Sequence, residues 1–321
     1  MKAIVYSEYG PPEVLQFTET ETPTPQPDEV LVKIHASSVN YGDRMLVLGK
    51  PFLIRIMGYG LLSPKHRILG GDIAGTVELV GGSVSKFKPG DPVYADIGNA
   101  GFGGYAEFVS VPEDILTLKP SNITFEEAAA VPQAAAVALQ GLRDKGEIKS
   151  GQKVLINGAS GAIGTFVVQI AKAYDTEVTG VCSTQNVELV SSIGADNVID
   201  YKKEDFTKGE TKYDLILDIV ANLPISDYMN ALNQNGSYVA VAFNPSALFL
   251  GSLYSKNGKK AAALSHTPRV EDLVYLRELI EASKVKPVVD KVFPLSEIAE
   301  AMKYHESGTP NGKVVITMEA E

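Results

Sequence analysis

One cysteine, four histidines and no tryptophan stand among the 321 residues of this chain. A lone cysteine, Cys182, excludes an internal disulfide and any cysteine-rich metal cage. His35, His66, His266 and His305 show no ligand spacing. His66 stands near an acid, Asp72, but one histidine and one aspartate do not complete a tetrahedral site. Basic residues are outnumbered 29 to 39, giving a net charge of -10, which argues against a nucleic-acid surface and for small-molecule partners. No uncharged apolar run reaches the roughly 18 residues of a spanning helix. The opening MKAIVYSEYG lacks the apolar core of a signal peptide, so the expectation is a cytoplasmic chain. No Ser-His-Asp arrangement or carboxylate pair is evident either, so any redox chemistry must come from a bound cofactor.

What is present is 45 % hydrophobic and 21 % charged residues, an ordinary globular balance over a length that accommodates two domains. The first 120 or so residues read as short strands between Gly and Pro turns: MKAIVY (1–6), EVLVKIHASSV (29–39), GTVELVG (75–81) and YAEFVSVP (105–112). That pattern predicts an irregular β-barrel. From Phe125 to Arg143 the chain is alanine-rich and helical in character, interrupted at Pro132.

Strands and helices then alternate. The strands are 153–158, 177–182, 197–201, 213–220 and 236–243, with helices at 162–174, 186–193 and 226–233 between them. Such βαβ alternation predicts a parallel sheet covered by helices on both faces. A strand KKAAALSH (259–266) and a helix 270–283 follow, and the tail holds two strand-like pieces around a helix that return to the first domain. The expected boundaries are 1–122, 123–268 and 269–321.

At the first β-to-α turn of that sheet the sequence reads VLINGASGAIGT (154–165). Gly161 and Gly164 permit a tight turn and a close helix–strand approach. The helix starting near Ala162 points free N–H groups and its positive dipole end at whatever binds. Ala159, Ser160, Gly161, Ala162, Ile163 and Gly164 are therefore candidate dinucleotide contacts, although Ala159 replaces the first glycine of G-x-G-x-x-G. An NAD site usually places an acid about 20 residues on. Here the second strand ends in Gly180-Val181-Cys182-Ser183-Thr184-Gln185-Asn186, with neutral donors in Ser183, Thr184 and Gln185. This favours NADPH.

GEIKSGQKVLINGASGAIGTFVVQIAK (146–172) resembles the fingerprint segment of the zinc-free quinone oxidoreductases of the medium-chain dehydrogenase/reductase superfamily. ASSVNYGD (36–43), GGDIAGTVELVG (70–81), KFKPGDPVY (86–94), GADNVIDY (194–201) and NGKVVI (311–316) are similar to that family too. The resemblance spans essentially the whole chain. It implies an α/β protein with a GroES-like β-barrel catalytic domain, a Rossmann doubly wound parallel sheet and a cofactor cleft between them. Zinc-dependent relatives carry a cysteine in the segment matching SSVNYGD and Gly-His-Glu where this chain has Gly70-Gly71-Asp72, so the resemblance implies a zinc-free enzyme.

By the same resemblance, Asn40 stands for the family's asparagine beside the nicotinamide, and Tyr201, with Lys202 adjacent, for a tyrosine of the adenosine-phosphate pocket. Lys313 stands for a lysine near the cofactor, and Asn244 falls at its nicotinamide end. Asn40, Tyr41 or water would donate a hydrogen bond to the substrate oxygen. Enoyl reductases of the superfamily use a tyrosine near the 49–60 stretch, which makes Tyr59 a further candidate. That stretch, with Phe52, Leu53, Ile54, Met57 and Tyr59, is longer and more apolar than usual and is expected to roof the substrate. Two departures weaken the match: Gln185 stands where relatives often carry Arg, and Val137 where they often carry Thr.

The expected activity is hydride transfer from NADPH to a quinone or an α,β-unsaturated carbonyl compound, in a homodimer joined through KKAAALSH. The alternatives are a non-catalytic NADPH-binding sensor or scaffold, and a zinc-free alcohol dehydrogenase or enoyl reductase of the same superfamily.

Overall fold

A computed structural model describes residues 1–241, 258–308 and 310–318. The chain divides into two compact units, the first made of Met1–Gln133, Pro268–Glu281 and Pro287–Glu321, the second of Ala134–Thr267 and Ala282–Lys286.

In the first unit a seven-stranded sheet is built around the long strand Glu29–Ser38, which pairs antiparallel with Asp72–Val80, Phe108–Pro112 and Lys313–Thr317. Its inward residues Val30, Val32 and Ile34 join Ile73, Val77, Val93 and Val111 in one core. Lys33, between Val32 and Ile34, is exposed, and a one-residue slip would turn Val30, Val32 and Ile34 away from this core. Val289–Pro294 pairs parallel with Lys313–Thr317 at one end of this sheet. This is the GroES-like fold.

Three strands escape the sequence pattern. Gln16–Glu19 is exposed along its whole length, Thr117–Leu118 has two residues, and Pro92–Asp96 begins right after a Pro-Gly-Asp turn. Helix Phe125–Ala129 starts where Thr124 and Glu127 cap each other: the Glu127 N–H donates to Thr124 Oγ1 (3.2 Å) and the Thr124 N–H to Glu127 Oε2 (3.0 Å). Pro132 does not merely interrupt helical structure; it is the first residue of a second helix, Pro132–Gln140, where its missing N–H costs nothing.

The second unit is a six-stranded, all-parallel sheet. Its spatial order is Asn197–Asp200, Glu177–Cys182, Lys153–Asn157, Tyr213–Asp218, Leu232–Ala240, Lys260–Ala263. Counted along the chain that is 3-2-1-4-5-6, the Rossmann order, with its switch point between Lys153–Asn157 and Tyr213–Asp218. The fifth strand begins four residues earlier than its glycine-initiated pattern suggested. Helix Ala162–Ala173 follows the first strand, and its residues from Gly164 to Ala171 are all buried. Among the described residues no helix is long and apolar enough to cross a membrane.

Candidate functional site

Candidate site residues gather in two places, one in each unit. In the Rossmann unit the strand Lys153–Asn157 ends at the switch point, and the chain turns through Gly158 to Gly161 into helix Ala162–Ala173. Gly161 is the N-cap, with φ -78° and ψ 176°, and no side chain caps the first-turn N–H groups. A Cβ on Gly164 would lie 2.0 Å from the Gly158 carbonyl oxygen, so only glycine lets the helix sit this close to the turn. A Cβ on Gly161 would meet nothing nearer than 3.8 Å, so the space beside the uncapped N–H groups is open. A cradle with free donors, a dipole end and room for a ligand fits a dinucleotide pyrophosphate. Ala159 is fully buried and contributes backbone only, while Ser160 Oγ accepts a hydrogen bond from Asn186 Nδ2 at 2.9 Å, tying this turn to the second one.

At the end of the second strand, Ser183 is largely buried and Thr184 and Gln185 are exposed. The Thr184 hydroxyl donates to Asp200 Oδ2 at 2.7 Å, and Lys203 Nζ lies 3.2 Å from the same oxygen. The Thr184 hydroxyl hydrogen is therefore already engaged by a carboxylate that the sequence pattern, looking only within this strand, did not bring here. Tyr201 is exposed beside it and available to a ligand. Asn244 lies outside the described residues.

In the first unit the structure gathers residues from four segments into one buried polar cluster. Asp72 is fully buried. Its Oδ2 accepts from Ser38 Oγ (2.6 Å) and Asn40 Nδ2 (2.9 Å), and lies 3.3 Å from Lys313 Nζ; its Oδ1 accepts from the Gln133 N–H (2.9 Å). Lys313 also donates to Asn40 Oδ1, closing a triangle of three side chains. Lys313, expected at the cofactor, is 1 % exposed and spends its charge on Asp72. Asn40 is buried, with its carbonyl and one amide hydrogen occupied, which leaves one N–H to give.

Directly beneath, Asp43 accepts from the Asn40 N–H (2.9 Å) and from the Tyr105 hydroxyl (3.0 Å). Burial, with Asp72 adding to it, pushes the Asp43 carboxyl up to about 7 against the help of these donors and of Lys313. Tyr105 is pushed well above the ordinary phenol range by its own burial and by Asp43. Asp43 stands in the sequence only as the last residue of ASSVNYGD, and nothing in the sequence marks Tyr105 as its partner.

Tyr41 opens helix Tyr41–Leu48 and is 63 % exposed. Tyr59 does not hang free: it packs on the core cluster of this unit, edge-on to His66 at 6.2 Å, and its carbonyl accepts from Tyr9 at 2.9 Å. Ile54 packs on the same cluster, whereas Phe52, Leu53 and Met57 are exposed. Among the described residues no three His, Cys, Asp or Glu side chains are grouped to hold a metal ion.

Comparison with known proteins gives consistent results. The family model of the alcohol dehydrogenase GroES-like domain matches residues 26–121, and that of the zinc-binding dehydrogenases matches 193–316. The chain is 32 % identical to a chloroplast envelope quinone oxidoreductase homolog of Arabidopsis thaliana, over 98 % of both proteins. It is 35 % identical to an NADPH-dependent alkenal/one oxidoreductase of the same plant, over 98 % of this chain and 79 % of the relative. The solved quinone oxidoreductase of Coxiella burnetii superposes with a TM-score of 0.88 at 30 % identity, covering 99 % of each chain.

Proposed function

The chain belongs to the medium-chain dehydrogenase/reductase superfamily, in its quinone oxidoreductase-like group, and from that premise we propose that it reduces quinones or α,β-unsaturated carbonyl compounds with NADPH and without zinc. The observation that carries the reading is the saturated Asp72 carboxylate. Three hydrogen-bond donors and the Lys313 ammonium engage both of its oxygens, in the position where zinc-dependent relatives place an acid near the metal. An acceptor activated by no Lewis acid must already be electron-poor, which selects conjugated carbonyl systems over plain alcohols.

When bound, a reduced nicotinamide would supply hydride to such a carbon. This chain's own residues do the rest. The uncapped N–H groups from Ala162 onward hold the pyrophosphate, with Gly161 leaving room for it and Gly164 keeping the helix in place. Ser183, Gln185 and Tyr201 line the adenosine end, where Ser183 keeps a hydroxyl proton for a 2′-phosphate. On the substrate side, Tyr41 and the remaining N–H of Asn40 donate to the oxygen that gains charge. The Lys313–Asp72 pair fixes the Asn40 amide so that its free hydrogen, not its carbonyl, is presented.

A homodimer through Lys260–Ala263 is part of the same reading, since that strand ends the described sheet order. The test is turnover after exhaustive chelation, with NADPH and NADH each offered 1,4-benzoquinone, a simple enone and a primary alcohol. NADPH consumption in proportion to quinone or enone supports the proposal. Preferred alcohol oxidation, or activity lost with a stoichiometric metal, overturns it.

A further inference from the structure

Residues 44 to 71 contain no Asp or Glu, in a chain that carries ten more acids than bases. The same stretch holds Arg44, Lys50, Arg55, Lys65 and Arg67. Two of these cations are used internally: Arg44 pairs with Glu306, and the Arg55 guanidinium stacks 4.1 Å from the Tyr9 ring centroid while donating to the Gly49 carbonyl at 3.0 Å. Lys50, Lys65 and Arg67 are exposed and make no ion pair within the described residues.

Between these cations the chain displays large apolar side chains. Phe52, Leu53, Ile56, Met57, Leu61 and Leu62 are all exposed, Met57 by 68 % and Leu62 by 90 %. They are not the by-product of a loose loop. The Tyr9 hydroxyl donates to the carbonyls of Tyr59 (2.9 Å) and Gly60 (2.6 Å), and the Lys65 N–H closes the turn onto Tyr59 O at 2.8 Å. Gly60 takes φ 109°, and a Cβ there would fall 2.0 Å from Ser63 O, so the sequence is built for this turn. Ile54 and Tyr59 anchor the inner side on the core, and Leu61 and Leu62 stand on the outer side. Isolated exposed apolar residues are ordinary, but six on one braced segment mark an interaction surface.

We propose that this segment docks on an anionic lipid surface, its apolar side chains entering the headgroup boundary while Lys50, Lys65 and Arg67 meet the lipid charge. Charge chooses the occupant. A second copy seated face to face through the same patch would bring three unpaired cations against their own duplicates. A bilayer rich in anionic lipid satisfies both halves of the patch at once, as it does for interfacial segments with basic flanks and large apolar residues. The inference does not depend on the proposed reaction, and its test needs no turnover.

Flotation of the full chain with vesicles provides that test, using phosphatidylcholine alone or with about 30 mol % phosphatidylserine. Partition is expected only into the anionic vesicles, weakening as salt is raised toward about 0.5 M. Each cation near such a surface contributes about fivefold in partitioning, so K65Q/R67Q is expected to reduce it roughly 25-fold. L61S/L62S is expected to reduce it at least about tenfold. All four positions are exposed, and thermal melts establish that the variants are folded. Absence of partition at low salt, equal partition into neutral vesicles, or indifference to both pairs of substitutions would each overturn the proposal. So would a concentration-dependent dimer that L61S/L62S dissociates, with no lipid binding, since the patch would then belong to a second copy.

Discussion

Lys313 Nζ lies 3.3 Å from Asp72 Oδ2, and neither side chain has meaningful contact with solvent. A buried ion pair is costly to break from one side only, because the survivor is left charged and unpaired. Lys313→Met is therefore expected to destabilise the fold by about 3–5 kcal/mol, whereas adding Asp72→Asn to it should recover part of that loss. Urea unfolding of the two single variants and the double variant closes the cycle. Strictly additive losses would mean that the pair carries no coupling.

That pair also marks the boundary of what the sequence discloses. The βαβ rhythm after residue 150 is local: each strand's buried run and each helix's apolar face can be seen within a dozen residues, so the parallel sheet and the glycine turn were legible. Lys313 was not. In NGKVVI it reads as a turn lysine near a ligand; its burial follows from Lys313–Thr317 pairing with Glu29–Ser38, a contact with a segment near the opposite end of the chain. Asp72 could be singled out as an acid without a histidine neighbour, yet its partners Ser38 and Asn40, Gln133, and Lys313 come from three other segments. The short strand Thr117–Leu118 offers too few residues to show an alternation at all.

The two glycines of the nucleotide turn should separate cleanly on substitution. Gly164→Ala forces a methyl to within 2.0 Å of the Gly158 carbonyl oxygen, and a clash with backbone is expected to cost about 2 kcal/mol or more of stability. Gly161→Ala meets only ordinary contacts and has backbone angles open to alanine, so the melting temperature should scarcely change. Its methyl instead occupies the space beside the uncapped N–H groups, and dinucleotide affinity is expected to fall at least about tenfold. Thermal melts and fluorescence titration with NADPH measure the two effects; unaltered affinity in Gly161→Ala would remove the turn from the binding site.

Discrimination between the cofactors should rest on Ser183 more than on its neighbour. A hydrogen bond to a charged group contributes about 1.5–3 kcal/mol, so Ser183→Ala is expected to weaken NADPH roughly ten- to hundredfold and leave NADH unchanged. Thr184→Val should matter much less to the phosphate, because the Thr184 proton already goes to Asp200. Equal dissociation constants for NADPH and NADH in the unaltered protein would defeat the assignment at once.

Asp43, which is buried, and His305, which is half-buried, pull the pH dependence of stability in opposite directions. Asp43, pushed up to about 7 by burial, keeps its proton in the folded chain after an unfolded aspartate, near pH 4, has released it. Its contribution is fully present below about pH 4 and is lost as pH rises through 7. His305 behaves oppositely: burial, with Lys313 and Arg44 nearby, lowers it to about 4, so the unfolded chain takes up a proton first as pH falls. Its contribution is present above the unfolded value of about 6.5 and is lost as pH falls through 4. Between these limits the two slopes oppose each other in the unaltered chain. Asp43→Asn should therefore tilt the stability upward with rising pH relative to the parent, and His305→Asn should tilt it downward, each by on the order of a few kcal/mol across the window, with the melting temperature following. Thermal melts of the three proteins from about pH 4 to pH 8 read the difference directly. Parallel curves would show that neither side chain changes its proton affinity on folding, and that the Asn40–Asp43–Tyr105 contacts hold an ordinary ionised carboxylate.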